Sequence, residues 1–303
     1  MIAKTHYSNG GIYTVTVQLI DDDTGEAETF KTEIFVTGVR LYRDTGELQV
    51  VGTADNDEVD IDLVNANNDD DDDDDDDDQR TKPQIRVTTD FDEADQINFN
   101  PDDVKTIRMA LGDGDDLAII GTSGNDNWYT ESLIEGDKGR DTLIGGGGQD
   151  TLLGGEDKDK LKGRRGDDVL SGGDGNDTLD GGSGDDVLIG GDGKDGLRGR
   201  SGDDLLLAAM WSDESNIAAL NAVHAEWTRD DATYEQKRDH LTGANPGGLN
   251  SPFVLDSTTI TEDEDQDTLS GNGGRDLFFA QMGGTNTDRV RGLRGNEDLL
   301  PIV

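Results

Sequence analysis

The spacing of hydrophobic residues changes along the chain and divides it into regions of different predicted structure. Residues 12–39 contain two runs of alternating apolar and polar positions around an acidic turn, a pattern that predicts a β-hairpin. Through residues 136–207, one leucine recurs every nine residues in eight units of unbroken register. Beyond them the apolar residues follow a helical period, which predicts a helix capped by Ser212 and a second helix over residues 233–241.

Three positions of the nine-residue unit are the same in all eight copies: glycine at position one, aspartate at position six and leucine at position eight. In residues 172–180, GGDGNDTLD, glycines at positions one, two and four permit positive φ angles in a tight turn and let carbonyl groups approach its centre. The aspartate directs a carboxylate into that turn, and positions seven to nine form a short strand with the leucine facing inward. These oxygen donors suit Ca²⁺ better than Mg²⁺, which retains water, or zinc, which prefers nitrogen and sulfur. The predicted ligands are Asp141, Asp150, Asp159, Asp168, Asp177, Asp186, Asp195 and Asp204.

Looser copies of the unit extend the pattern on both sides, from about Gly52 to Phe279. They place Asp116, Asp126 and Asp276 at position six, and we include these three as candidate ligands. The sequence therefore predicts a solenoid with irregular ends and a regular centre, as expected for an array of stacked repeats.

Composition narrows the possible partners. The 303 residues carry a formal charge of −43, which disfavours nucleic acid and anionic membranes as partners and favours cations. Only 31% of the residues are hydrophobic, so one large apolar core is not expected. There is no cysteine for a disulfide or a thiolate metal site, and no apolar run approaches the ~20 residues of a membrane span. Ten consecutive aspartates, within a segment at 66–80, predict a solvated, disordered loop.

The common hydrolase motifs are missing from the sequence. His6, His224 and His240 lie far apart, with no HExxH pattern, and no GxSxG nucleophile elbow occurs. We therefore expect a protein that is not an enzyme.

The repeated unit resembles the RTX, or hemolysin-type, repeats of secreted bacterial proteins, whose consensus is GGxGxDxUx with U apolar. The resemblance implies an all-β fold, a right-handed parallel β-roll in which two units form one coil. It places Ca²⁺ between units n and n+2, so the eight units contain about six sites, with alternate aspartates on opposite edges of the roll. Carbonyl groups of the turns would complete each site, among them those of Gly145, Gly148, Gly163, Gly166, Gly172, Gly175, Gly181, Gly184, Gly190 and Gly193.

Some units depart from the consensus. Position two is Asp137, Arg164 or Arg200 in three of them, and position four is Asp157 in one. A positive φ is expected at position four, which an aspartate tolerates better than most residues but less well than glycine. We expect weaker or distorted sites around Asp157.

The pattern changes suggest five regions. Residues 1–40 form the hairpin, which resembles the last two strands of a PKD-like, immunoglobulin-type sandwich. Residues 41–135 form degenerate coils, residues 136–207 the regular roll, residues 208–250 a helical insertion or a cap over the open end, and residues 251–303 a final repeat and the C-terminal segment.

These observations favour a calcium-binding module of a large secreted or surface protein, which folds when it meets Ca²⁺ outside the cell. Type I secretion is expected from the family resemblance, and the terminal NEDLLPIV is compatible with its signal. One alternative is the secretion and folding tail of a hydrolase or toxin whose catalytic domain lies upstream. Another is a calcium-dependent adhesin that contacts cell-surface polysaccharide or matrix. In each case the chain is expected to be part of a longer polypeptide.

Overall fold

The computed structural model describes residues 11–20, 27–64, 84–91, 96–121, 129–283, 286–295 and 297–302, with side chains from Thr37 onward. The predicted disordered loop at 66–80 and the candidate ligand Asp126 lie outside these residues. The predicted hairpin is confirmed as two antiparallel strands, β1 (Gly11–Ile20) and β2 (Ala27–Val36), paired from Gly11 with Val36. Its relation to a PKD-like domain stays a prediction.

Short strands are the main secondary structure of the remaining described chain. Before the regular repeats they are β3 (Gly38–Tyr42), β4 (Glu47–Val51), β5 (Glu58–Val64), β6 (Gln84–Thr89), β7 (Gln96–Phe99), β8 (Thr106–Asp113) and β9 (Leu117–Ile120). Along the repeats they are β10 (Glu131–Lys138), β11 (Thr142–Ile144), β12 (Asp150–Glu156), β13 (Lys160–Arg165), β14 (Val169–Asp174), β15 (Thr178–Ser183), β16 (Val187–Asp192), β17 (Gly196–Ser201) and β18 (Leu205–Leu207). The last are β19 (Met210–Trp211), β20 (Ile260–Thr261), β21 (Thr268–Asn272), β22 (Leu277–Gln281), β23 (Arg289–Arg291) and β24 (Asp298–Ile302).

Most of these strands form two ten-stranded sheets. Sheet 1 has the order β3-β4-β8-β10-β12-β14-β16-β18-β22-β24, and sheet 2 the order β7-β6-β5-β9-β11-β13-β15-β17-β21-β23. The chain passes from one sheet to the other with each unit, so that two units make one coil, and Leu143 pairs in register with Leu161, eighteen residues later. In sheet 1 all strands from β4 to β24 pair in parallel, and in sheet 2 the strands β5, β9 and those beyond β9 do so. At the N-terminal end of the two sheets, β3, β6 and β7 pair antiparallel. The fold is a parallel β-roll, as predicted.

The leucines at position eight form a column, which is the core between the two sheets. Leu152 and Leu179 are fully buried, as are their equivalents throughout the regular units. The column continues through Ile134 on one side and through Leu269 and Phe278 on the other. Because each unit contributes little more than one large side chain to this core, hydrophobic burial per residue is small.

Two α-helices occur in the described residues, between β19 and β20. Helix α1 (Ile217–Thr228) begins after Asn216, whose side-chain oxygen accepts the backbone N–H groups of Ala218 and Ala219. The prediction of Ser212 as its cap was therefore wrong, because an asparagine closer to the helix fills that role. Helix α2 (Tyr234–Leu241) has the cap Thr233 and begins within one residue of the predicted position.

The helices cover a flank of the roll and not its open end, so of the two predicted placements the insertion is right and the end cap is wrong. Trp211, Leu220 and Trp227 pack in a second core with residues on the outer face of sheet 1, such as Ile189 and Phe279. After the insertion the coils resume, with β21 beside β17 and β22 beside β18.

The helices pack on sheet 1 because of the residues at positions seven and nine of the unit. In sheet 1 these outward positions are apolar in successive coils, as in Val187, Ile189, Leu205 and Leu207, and all four are buried. In sheet 2 most of them are polar, for example Lys160 and Lys162, although Ile144 is an exception. Only the outer face of sheet 1 therefore gains from a covering layer.

Replacing Trp227 by alanine should loosen this layer without disturbing the coils. Trp227 is buried, stacks edge-on against Tyr234 at 5.7 Å, and donates its indole N–H to the carbonyl of Asp203 at 2.6 Å. A buried Trp→Ala change costs about 3–5 kcal/mol. We expect a loss of that size in the free energy of unfolding, measured by urea denaturation in saturating Ca²⁺. Asn221→Ala, on the exposed side of the same helix, should change it little. Equal stability of the two variants would contradict this packing.

Candidate metal centre

Two rows of buried aspartates lie along the edges of the roll, where the chain turns from one sheet to the other. Edge 1 contains the turns from sheet 1 to sheet 2, and edge 2 contains the reverse turns. All of the residues in both rows are buried. Edge 1 carries Asp57, Asp116, Asp141, Asp159, Asp177, Asp195, Asp267 and Asp288, and edge 2 carries Asp150, Asp168, Asp186, Asp204 and Asp276.

In every aspartate but the first of each row, Asp57 and Asp150, the first carboxylate oxygen holds neighbouring coils in register. On edge 1 the backbone N–H of Asp141 donates to Oδ1 of Asp159 at 2.8 Å, and that of Asp159 donates to Oδ1 of Asp177 at 2.8 Å. On edge 2 the N–H of Asp168 donates to Oδ1 of Asp186 at 2.9 Å. The same bond recurs along both rows, so each position-six aspartate is needed for stacking as well as for any metal.

The second oxygen, Oδ2, is buried and has no hydrogen-bond partner in the described part of the chain for ten of these aspartates. Buried polar atoms are rarely left unsatisfied, and a bound ion is one explanation for such atoms. The ten are Asp116, Asp141, Asp159, Asp177, Asp195 and Asp267 on edge 1, and Asp168, Asp186, Asp204 and Asp276 on edge 2.

A backbone carbonyl lies next to the unpartnered oxygen. A Cβ atom added to Gly172, at position one, would lie closer than 3.0 Å both to Oδ2 of Asp177 and to the carbonyl oxygen of Gly190. Gly136, Gly154 and Gly163 face the equivalent pair of oxygens. Carboxylate and carbonyl oxygens together form the hard donor set that Ca²⁺ prefers.

This arrangement corrects the role predicted for the first glycine. Within the regular units, positive φ angles occur at positions two and four, and no position-one glycine has one. Position one is glycine because a side chain would collide with the carboxylate. At positions two and four, residues other than glycine accept the left-handed conformation, with φ of 84° at Arg164 and 78° at Asp157.

The distortion expected around Asp157 is found in another unit. Asp159, two residues later, keeps both its coil-to-coil hydrogen bond and its unpartnered Oδ2. In residues 145–153, by contrast, neither Gly146 nor Gly148 has a positive φ. The N–H of Gly146 donates to Oδ2 of Asp150 at 2.7 Å, and the Ser132 hydroxyl donates to its Oδ1 at 2.6 Å. Four glycines in a row allow this different turn, which satisfies both oxygens of Asp150 without a metal.

The remaining candidate glycines lie where the turns stack. The carbonyls of Gly148, Gly166 and Gly175 lie under the position-four glycine of the next coil on the same edge, with no room for a Cβ atom between them. Gly184 and Gly193 are also position-four glycines that stack on the coil before them. The position-one glycines each adjoin the Oδ2 atom of their own unit's aspartate; they are Gly145, Gly163, Gly172, Gly181 and Gly190. Their part in metal binding stays a prediction.

Burial makes these carboxylates hard to ionise without a compensating cation. It raises the pKa of Asp186 to about 10, and the negative charges of Asp168 and Asp204 add to the effect. Burial likewise raises the pKa of Asp168 and Asp195 to about 9. The shift is smaller at Asp141 and Asp177 on edge 1, where burial raises the pKa to about 6. A divalent cation between coils would supply the missing positive charge.

One ligand candidate was missed by the sequence patterns. Asp267 is fully buried, continues edge 1 beyond Asp195, and has an unpartnered Oδ2. It lies two residues before Leu269, as position six lies before position eight, and that spacing could have revealed it. Asp267 was not predicted because the turn before it lacks glycine, since residues 262–265 read EDED.

Comparison with protein families finds the RTX calcium-binding nonapeptide repeat four times, at residues 133–161, 153–188, 171–206 and 263–281. Comparisons with curated proteins and with solved structures give no significant match. The matched segments contain the regular coils and the first coil after the insertion, where all of the unpartnered carboxylate oxygens of both rows except that of Asp116 lie. The chain thus contains RTX calcium-binding nonapeptide repeats, and these build the regular coils of its parallel β-roll.

Proposed function

We propose that this chain is a calcium-dependent folding module that acts outside the cell, disordered where Ca²⁺ is scarce and folded where it is abundant. The observation that carries the proposal is the double row of buried, unpartnered aspartate oxygens, each row with backbone carbonyls beside it. In this role Ca²⁺ neutralises the carboxylates and links consecutive coils.

Two physical features make folding depend on the ion. The core between the sheets receives one leucine per nine residues in the regular units, so hydrophobic burial contributes little stability per coil. Stacking the aspartates brings like charges together in a buried environment, as the raised pKa values show. The free energy of ion binding then becomes free energy of folding.

The positions of the unpartnered oxygens suggest how many ions bind. One ion can lie in each interval between two consecutive aspartates of a row that both have an unpartnered oxygen. Edge 1 has five such intervals, from Asp116 to Asp267, and edge 2 has three, from Asp168 to Asp276. We propose eight ions, where the regular units alone predicted about six. The interval from Asp150 to Asp168 is not included, because only Asp168 has an unpartnered oxygen there, whereas both aspartates of each of the eight intervals have one.

A binding role also suits the histidines. His224 Nε2 lies 2.9 Å from the carbonyl of Asp167, and His240 Nδ1 lies 2.7 Å from the buried carboxylate of Glu226. Both contacts hold the helices in place, which leaves these two histidines with structural tasks. Among the described helices, none combines the length and apolar character needed to cross a membrane. We propose a secreted or surface location, where Ca²⁺ is near the ~10⁻⁴–10⁻³ M dissociation constants of extracellular calcium modules.

Calcium removal tests the proposal directly. Far-ultraviolet circular dichroism of the whole chain at pH 7.5 should show the strand signal in millimolar Ca²⁺ and its loss in excess EDTA. Calorimetric titration should give a stoichiometry near eight. Equal concentrations of Mg²⁺ should not restore the signal, because Mg²⁺ gives up its water reluctantly. Identical strand content with EDTA and with Ca²⁺ would rule the proposal out.

A further inference from the structure

The coil that follows the helical insertion is built differently from the others. Residues 262–270, EDEDQDTLS, keep the aspartate of position six as Asp267 and the leucine of position eight as Leu269. Glycine is absent from the first four positions, where Glu262, Asp263 and two further acidic residues occur. Acidic residues therefore replace the turn glycines at the point where the chain re-enters the roll.

The carboxylate of Asp263 takes a place that a backbone carbonyl occupies in regular coils. There, the N–H at position four donates to the position-three carbonyl two units later, as Gly175 does to Asp192 at 2.7 Å and Gly184 to Ser201 at 2.9 Å. The equivalent N–H of Gly193 donates instead to Oδ2 of Asp263 at 3.1 Å. The N–H of Asp265 donates to the other oxygen, Oδ1, at 3.0 Å and orients the side chain.

This substitution brings a third carboxylate to the edge. Asp195, Asp263 and Asp267 each offer an oxygen within 4.8 Å of the other two. Asp195 is 3% exposed and Asp267 is fully buried, and each has an Oδ2 atom without a partner among the residues the structure describes. Unpartnered buried oxygens beside a third carboxylate indicate a missing cation and not merely a solvated acidic surface.

We propose that Asp195, Asp263 and Asp267 form a distinct Ca²⁺ site at the junction between the insertion and the roll, tighter than the sites of the regular coils and filled before them. The inference rests on the proposed function, in which Ca²⁺ occupies the edges of the roll. Its physical basis is ligand charge: three carboxylates face the junction ion, whereas each regular interval offers two carboxylates and neutral carbonyls. Calcium affinity rises with the number of charged ligands and the rigidity of the site.

The position of the site has a consequence for folding order. Asp195 precedes the insertion and Asp267 follows it, 72 residues later. An ion held by both closes that long loop and docks β21–β24 against the coils already formed. The junction ion should therefore order the C-terminal coils at Ca²⁺ concentrations too low to saturate the regular sites.

The test is a calorimetric Ca²⁺ titration of the full chain and two variants. In the native chain we expect one ion to bind at least about tenfold tighter than the rest, which corresponds to about 1.4 kcal/mol. Asp263→Asn should remove that tight class and leave the weaker ions in place. Asp265→Asn is the matched control, because this exposed residue of the same unit orients Asp263 through its backbone N–H, which the substitution retains.

Hydrogen exchange of β21–β24 provides the second readout. With about one equivalent of Ca²⁺, these strands should be protected in the native chain and in Asp265→Asn, and unprotected in Asp263→Asn. If circular dichroism in saturating Ca²⁺ is unchanged, misfolding of the variant is not the cause. A single class of equal sites in the native chain, or identical titrations of the two variants, would overturn the junction site while leaving calcium-dependent folding intact. Failure of Ca²⁺ to bind or fold the native chain would refute both.

Discussion

Replacing Gly172 by alanine should abolish ion binding on both sides of one coil and destabilise the roll. The added Cβ atom would lie closer than 3.0 Å to Oδ2 of Asp177 and to the carbonyl of Gly190, two buried oxygens that the fold holds in place. Forcing a methyl group into a packed site costs about 1–3 kcal/mol, and the binding energy of the displaced ion is lost as well. We expect a loss of at least about 3 kcal/mol in the free energy of unfolding in Ca²⁺, and two fewer bound ions.

A second glycine provides a control with identical chemistry. Gly196 lies in β17, and a Cβ atom there would approach nothing closer than the carbonyl oxygen of Asp177, at 3.9 Å. Neither glycine has a positive φ, so backbone strain does not separate the two variants. Gly196→Ala should bind the full number of ions with a similar midpoint and similar or slightly higher stability. If calorimetry and urea denaturation find the same values for both variants, the position-one glycine does not protect an ion site.

Low pH should partly replace Ca²⁺ in stabilising the folded chain. Burial, together with neighbouring negative charges, raises the pKa of Asp186 to about 10 and that of Asp168 and Asp204 to about 9, from 3.8 in an unstructured chain. Between those limits the folded, metal-free chain binds protons that the unfolded chain has released. Its stability must therefore fall as the pH rises from about 4 towards 9. We expect circular dichroism of the chain stripped of metal to show more strand at pH 5 than at pH 8.

The calcium-bound chain should show the opposite trend. Because Ca²⁺ displaces protons from these carboxylates, its apparent affinity should rise with pH, and binding at pH 7 should release several protons. Titrations in two buffers with different ionisation enthalpies measure that release. Asp186→Asn removes one buried acid and keeps its shape, so it should move metal-free folding to higher pH. Asp192→Asn removes an exposed charge and should have a smaller effect. Metal-free strand content that increases from pH 5 to pH 8 would contradict this account.

Much of the fold could be predicted because the same nine-residue pattern occurs eight times. A fixed period of nine residues predicts a solenoid of repeated turns and strands, and a single leucine per unit sets which side of each strand faces inward. Asp141 and Asp159 differ by two units, which the resemblance to RTX repeats places on one edge. Both helices were visible as well, because amphipathic spacing is a local property of the chain, although the cap of the first is Asn216 and not Ser212.

Details of the metal centre were harder to predict, because they depend on contacts between coils. The sequence of residues 145–153 matches the repeat, yet its turn takes another conformation in which Asp150 needs no ion. Residues 262–265 lack the turn glycines, yet Asp263 and Asp267 meet Asp195 across the insertion. Whether an oxygen is left unpartnered depends on neighbours 18 or 72 residues away.

The sequence by itself indicated the metal through residues that recur at a constant interval, and its resemblance to RTX repeats implied the coil and the two edges. Only the tertiary structure decided where the helices lie, why position one is glycine, and which aspartate oxygens are left for an ion. Those outcomes depend on which surfaces meet after the coils have stacked. The apolar outer face of sheet 1 illustrates the difference: Val187 and Ile189 are an ordinary pair of residues in one unit, and they become a docking surface only beside Leu205 and Leu207 of the next coil.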